Sequence, residues 1–118
     1  MNLFNLFRHP KQLKDLTPAE VAALSHATKG PAIFDVRTKR EYISGHVMGA
    51  KSYPLGNEQK IISSVDKNQK VVLICKTGHR SQAAAIELLK AGFTDVSHLK
   101  GGMDAWNREG RPTRTELE

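Results

Sequence analysis

The chain predicts an α/β domain built on a parallel sheet, and three observations carry that expectation. Val71-Val72-Leu73-Ile74 is a continuous apolar run, the pattern of a strand covered on both faces. An Ala- and Leu-rich helix, Ser81 to Ala91, follows it almost at once. Upstream, further apolar runs alternate with helix-start signals, the rhythm of strand–helix–strand units with right-handed crossovers. At 118 residues the expectation is one domain, large enough to bury a core without covalent staples.

The elements justify themselves in order. Thr17-Pro18-Ala19-Glu20 is a capping box with proline at the first helical position. Val21, Ala22 and Leu24 supply its apolar stripe, and Lys29-Gly30 closes it. Ala32 to Val36 reads as a buried strand after Gly-Pro. Thr38-Lys39-Arg40-Glu41 repeats the capping box, and Gly45 ends that brief helix. A short strand is expected around Ala50-Lys51-Ser52, then a helix from Pro54 to Val65 with Ile61, Ile62 and Val65 on one face. After the central strand and its helix, which Gly92 stops, Asp95 to Leu99 is a last strand. Gly101-Gly102 then turns into a short helix carrying Trp106. The domain is expected over 15–110, between an extension at 1–14 and a polar tail at 111–118 that should fray.

Composition excludes several classes. A single cysteine can form no internal disulfide and no Cys-rich zinc site, and it fits a reducing, cytoplasmic setting. His9, His26 and His98 are isolated in sequence, so no metal or other cofactor is expected. No apolar run approaches a transmembrane span. The first eight residues are too short and too broken by Asn for a signal peptide; they suit an amphipathic foot or a segment folded back on the domain. The net charge of +6 is scattered, and aromatics are only 6%, which gives little support to a nucleic-acid surface.

The chemistry concentrates where the best strand ends. Cys75 is followed by Lys76-Thr77-Gly78-His79-Arg80 and then the best helix. Ligands of open parallel sheets bind outside the carboxyl ends of the strands. A short loop entering a helix N-terminus turns its N–H groups inward and makes an anion cradle. Gly78 permits the tight path, and Lys76, His79 and Arg80 add positive charge. Such surroundings stabilise a thiolate, the nucleophilic form of cysteine. The competing reading is a buried cysteine that merely closes a core strand, which explains neither the glycine nor the cations. Ser81 is expected to N-cap the helix and to face the sulfur. Two chemistries share this architecture, a Cys-based phosphatase (or arsenate reductase) and a sulfur transferase. The four residues between Cys75 and Arg80 are one fewer than such phosphatases use, which favours a smaller sulfur species.

The order and spacing of several motifs resemble the single-domain rhodanese (thiosulfate sulfurtransferase-like) family. They are Asp35-Val36-Arg37, Glu41-Tyr42, Gly45-His46-Val47 with Gly49-Ala50, Cys75 to Ser81, Leu99-Lys100-Gly101-Gly102 and Trp106. The resemblance covers roughly Leu16 to Arg108. It implies about five parallel strands flanked by helices on both faces, and Cys75 as persulfide carrier. It also implies ping-pong transfer from a thiosulfate-like anion to cyanide or a thiol, with Lys76, Thr77, Gly78, His79, Arg80 and Ser81 around the donor. A docking or sulfur-relay module with little turnover of free substrate is the other function the family offers. Asp35 and Arg37 are read as a pair pinning the loop, His46 as a structural hydrogen-bonding residue, His79 as able to tune the local field, and Met103 and Trp106 as core. With no second thiol to resolve a persulfide, the acceptor is expected from outside.

Overall fold

A computed structural model describes residues 9–115; the expectations for the first eight residues fall outside these. The elements are β1 (Lys14–Leu16), α1 (Pro18–Ser25), β2 (Ala32–Asp35), α2 (Lys39–Ser44), β3 (Lys51–Ser52), α3 (Glu58–Ser64), β4 (Val71–Ile74), α4 (His79–Lys90), β5 (Val96–Leu99) and α5 (Gly102–Arg108). Five strands form one sheet in the order β1-β5-β4-β2-β3, and every pair is parallel.

Both expected capping boxes form. The Thr17 hydroxyl accepts from the Glu20 amide while Glu20 accepts from the Thr17 amide, and Thr38 and Glu41 do the same for α2. The core divides by the two-residue period of β4. Leu73 and Cys75 pack toward Ile61 of α3 and Ala84, Ala85 and Leu88 of α4. Val72 and Ile74 pack the other way, with Val21, Tyr42, Met103 and Trp106. Met103 and Trp106 are therefore core, as expected. Helices cover both faces, which is why β4 needs apolar residues at every position.

The structure corrects four boundaries. β1 was not expected from its residues; Lys-Asp-Leu carries no strand signal, and its pairing with β5 supplies one. α3 starts at Glu58 rather than Pro54, because Gly56 turns the chain at φ +103. α4 starts at His79, and its N-cap is Gly78 rather than Ser81. The start of the tail does not fray. His46 and Arg114 exchange two backbone hydrogen bonds at 2.8 Å, and the Trp106 indole donates to the Pro112 carbonyl at 3.1 Å.

Candidate active site

After β2 the chain moves toward β3; after β4 it moves toward β5. The carboxyl ends of β2 and β4 therefore flank the point where winding reverses, the usual place for a crevice in such sheets. Asp35 ends β2 beside Ile74, and Cys75 follows Ile74.

Cys75 is only 1% exposed. Its sulfur accepts the Gly78 N–H at 2.9 Å and stands 3.4 Å from Ser81 Oγ. Both groups belong to the start of α4, so the thiol lies against the positive end of a 12-residue helix. Gly78 holds φ +101, a conformation that permits this turn. A second glycine carries the loop from outside. The amides of Met103 and Asp104 donate to the carbonyls of Cys75 and Lys76 at 2.8 and 2.9 Å. Gly102, at φ +60, lies so close that a Cβ there would overlap the Lys76 carbonyl group. The Gly101-Gly102 motif thus buttresses the Cys75 loop.

The charges around the loop are largely paired. Arg80 grips Glu41 through two hydrogen bonds, at 2.7 and 3.0 Å. That bond, chiefly, depresses the Glu41 carboxyl to about 2, and the same carboxylate raises the Arg80 guanidinium. Lys76 is exposed, with its ammonium 3.8 Å from Asp104. Thr77 and His79 are exposed and meet each other, Oγ1 to Nδ1, at 2.9 Å. Asp35 and Arg37 are both buried and bonded through both carboxylate oxygens. Arg37 also donates to the Gly45 carbonyl at 2.8 Å, joining the end of β2 to the end of α2. Among the described contacts, none joins this pair to Cys75. His46 is buried, stacked on Tyr42 at 3.8 Å, with Nδ1 2.8 Å from the Tyr42 carbonyl.

His98, isolated in sequence, is not isolated in space. It lies in register with Asp15 of β1, and its Nε2 is 2.7 Å from Asp15 Oδ1. Its Nδ1 is 2.7 Å from Ser81 Oγ. His9 reaches the same Asp15 oxygen at 2.7 Å. These three are the convergent His/Cys/Asp/Glu group among the described residues. Their 2.7 Å separations are those of hydrogen bonds; ligands around a tetrahedral ion at about 2.0 Å stand roughly 3.3 Å apart. Spacing of 83 positions between Asp15 and His98 left no sequence signal for this cluster.

A buried thiol held by a helix-terminal loop at the switch point of a parallel sheet defines the class, an open α/β sheet with a cysteine just past the carboxyl end of its central strand. The Rhodanese-like domain family matches residues 17–109, and the chain belongs to that family. A thiosulfate sulfurtransferase GlpE from Pseudomonas fluorescens is 33% identical over 95 residues, 80% of this chain and 85% of that protein. "Probable adenylyltransferase/sulfurtransferase MoeZ" from Mycobacterium tuberculosis is 35% identical over 99 residues; the match takes 82% of this chain but spans only 25% of MoeZ. The crystal structure of a rhodanese-like domain protein from Staphylococcus aureus superimposes with a TM-score of 0.71 at 31% identity, covering 87% of this chain and 98% of that one.

Proposed function

We propose that the chain moves a sulfane sulfur from thiosulfate, or a donor like it, to a thiophilic acceptor through a persulfide on Cys75. The observation that carries this is the Cys75 sulfur held by the Gly78 amide at the start of α4. Inward amides suit both a thiolate and the terminal sulfur of a persulfide anion, since each is a compact negative charge. The Cys75 thiolate attacks the outer sulfur of thiosulfate, the S–S bond to the sulfonate breaks, and sulfite leaves with two negative charges. Cyanide or a thiolate then takes the outer sulfur and returns the Cys75 thiolate. Lys76 and the loop from Thr77 to Ser81 face the donor. Asp35 and Arg37 pin the neighbouring loop where β2 ends, and His79 braces the Cys75 loop through Thr77.

Incubation with thiosulfate followed by intact-mass measurement should show one added sulfur, lost on adding cyanide. A Cys75→Ser variant that still gains sulfur overturns the proposal. Hydrolysis of an aryl phosphate without sulfur uptake would give the site to the phosphatase class instead.

One observation favours a second reading, a relay that receives sulfur from a protein persulfide. Arg80 and Lys76 both face carboxylates, leaving little free cation for a dianion. Slow turnover of thiosulfate beside fast uptake from a persulfidated protein would favour the relay.

A further inference from the structure

The buried polar residues of β5 have no part in the chemistry above. His98 is 2% exposed, in register with Leu73 of β4 on one side and Asp15 of β1 on the other. Burying an imidazole there costs free energy that a leucine would not, unless its nitrogens are used. Both are used. From the thiol outward the contacts run Cys75 Sγ to Ser81 Oγ at 3.4 Å, Ser81 Oγ to His98 Nδ1 at 2.7 Å, and His98 Nε2 to Asp15 Oδ1 at 2.7 Å. The chain of contacts starts at the buried sulfur and ends on a carboxylate 41% exposed.

We infer that His98 is a positioning residue for the Cys75 thiol, receiving its proton through the Ser81 hydroxyl while Asp15 holds the imidazole. The inference deepens the reading of Cys75 as the sulfur carrier and rests on it. The proton inventory closes. In the resting arrangement Cys75 S–H donates to Ser81 Oγ, Ser81 O–H donates to Nδ1, and Nε2–H donates to Asp15. The Cys75 S–H bond breaks as Ser81 takes that proton, and the proton Ser81 held passes to Nδ1. The products are a Cys75 thiolate and a His98 imidazolium paired with the Asp15 carboxylate. No electrons leave the system and no co-reactant is needed. Ser81 then donates to the thiolate and accepts from Nδ1, so the relayed state keeps every partner. The Ser81 hydroxyl also has the Gly78 carbonyl at 3.1 Å, the longer of its two acceptor contacts.

The groups facing this line come from every neighbouring element. Asp15 on β1 and His9 before it face Nε2. The α4 side supplies Ser81 and the Arg80 charge, which Glu41 of α2 pairs. Beyond the loop, Lys76 is offset by Asp104 of α5. Burial lowers the His98 titration, and the Asp15 carboxylate on Nε2 opposes that effect by favouring the charged imidazole.

The test is the pH profile of Cys75 alkylation by iodoacetamide in the full chain, with the thiosulfate mass shift measured on the same samples. His98→Gln should alkylate about tenfold more slowly near neutral pH. Ser81→Ala should lose as much, and the double variant no more than either. Asp15→Asn, a surface change that leaves the core intact, should lose about threefold and decides the matter should His98→Gln fail to fold. Wild-type profiles in the variants that fold overturn the inference, as does a double variant whose loss is the product of the singles. A wild type that takes up sulfur while His98→Gln alkylates normally overturns the His98 role alone. A wild type that takes up no sulfur overturns the carrier reading, whatever the alkylation shows.

Discussion

Glu41 and Arg80 lie 39 positions apart and meet as a two-point ion pair, at 2.7 and 3.0 Å. The same Glu41 oxygen that accepts from Arg80 Nη1 also accepts the Thr38 amide at 3.0 Å. One carboxylate therefore caps α2 and ties it to the first turn of α4.

That pair predicts an acid-sensitive link. The Glu41 carboxyl is held at about 2 against an ordinary 4.5. A depressed carboxyl contributes in full above its unfolded value and loses its contribution as pH falls through the folded one. Glu41→Gln should cost about 1–2 kcal/mol at neutral pH, after discounting for partial exposure. The gap to wild type should close between pH 4.5 and about 2. Urea unfolding midpoints across that range are the measurement, and a gap independent of pH would contradict it.

On the proposed reading, the ion pairs of the Cys75 loop compete with the donor for its cations. Asp104→Asn removes the carboxylate 3.8 Å from Lys76 and should lower the KM for thiosulfate, with kcat little changed. Lys76→Ala should raise that KM. Each effect should be about two- to fivefold, the worth of an exposed ion pair. Steady-state thiocyanate formation separates the two constants.

Two glycines make a controlled comparison. Gly102 and Gly110 both hold positive φ, +60 and +68, yet only Gly102 abuts the Lys76 backbone, and a Cβ at Gly110 meets nothing within 4 Å. Gly110→Ala should cost about 1 kcal/mol for backbone conformation alone. Gly102→Ala should cost at least about 2 kcal/mol more and disturb persulfide formation, since the loop must move. Thermal melting of both variants, with the mass shift of each, checks the difference.

The Asp35–Arg37 pair is buried and its geometry two-pronged. Arg37→Ala strands a carboxylate away from water and should cost about 3–5 kcal/mol. Arg37→Lys should recover part of that, because an ammonium supplies charge without the fork. Chemical denaturation of the two variants gives both numbers.

Much of this was legible in the residues. The capping boxes at Thr17 and Thr38 are local chemistry, and both formed where the pattern put them. β4 was legible because burial on two faces demands hydrocarbon at each position. The placement of Cys75 before a helix start followed from sequence adjacency. What escaped was long-range. β1 exists because β5 pairs with it, and no property of Lys14-Asp15-Leu16 announces that. Asp15 and His98 become neighbours only through the same parallel register. The Ser81 assignment failed by a local rule: a glycine able to hold φ +101 precedes it by three residues and takes the cap position instead.

The shielding of Cys75 has a consequence for durability. Hydrogen peroxide must reach a thiolate to begin the descent toward sulfinic and sulfonic acids, the irreversible steps. On the proposed reading, an unloaded Cys75 sulfur that is 1% exposed meets an oxidant only by the same route that admits the donor. Cargo sulfur, one S–S bond of about 2.05 Å beyond Sγ, would meet oxidants and acceptors first. Damage would then fall on a replaceable atom, and the protein's single thiol would outlast many loads.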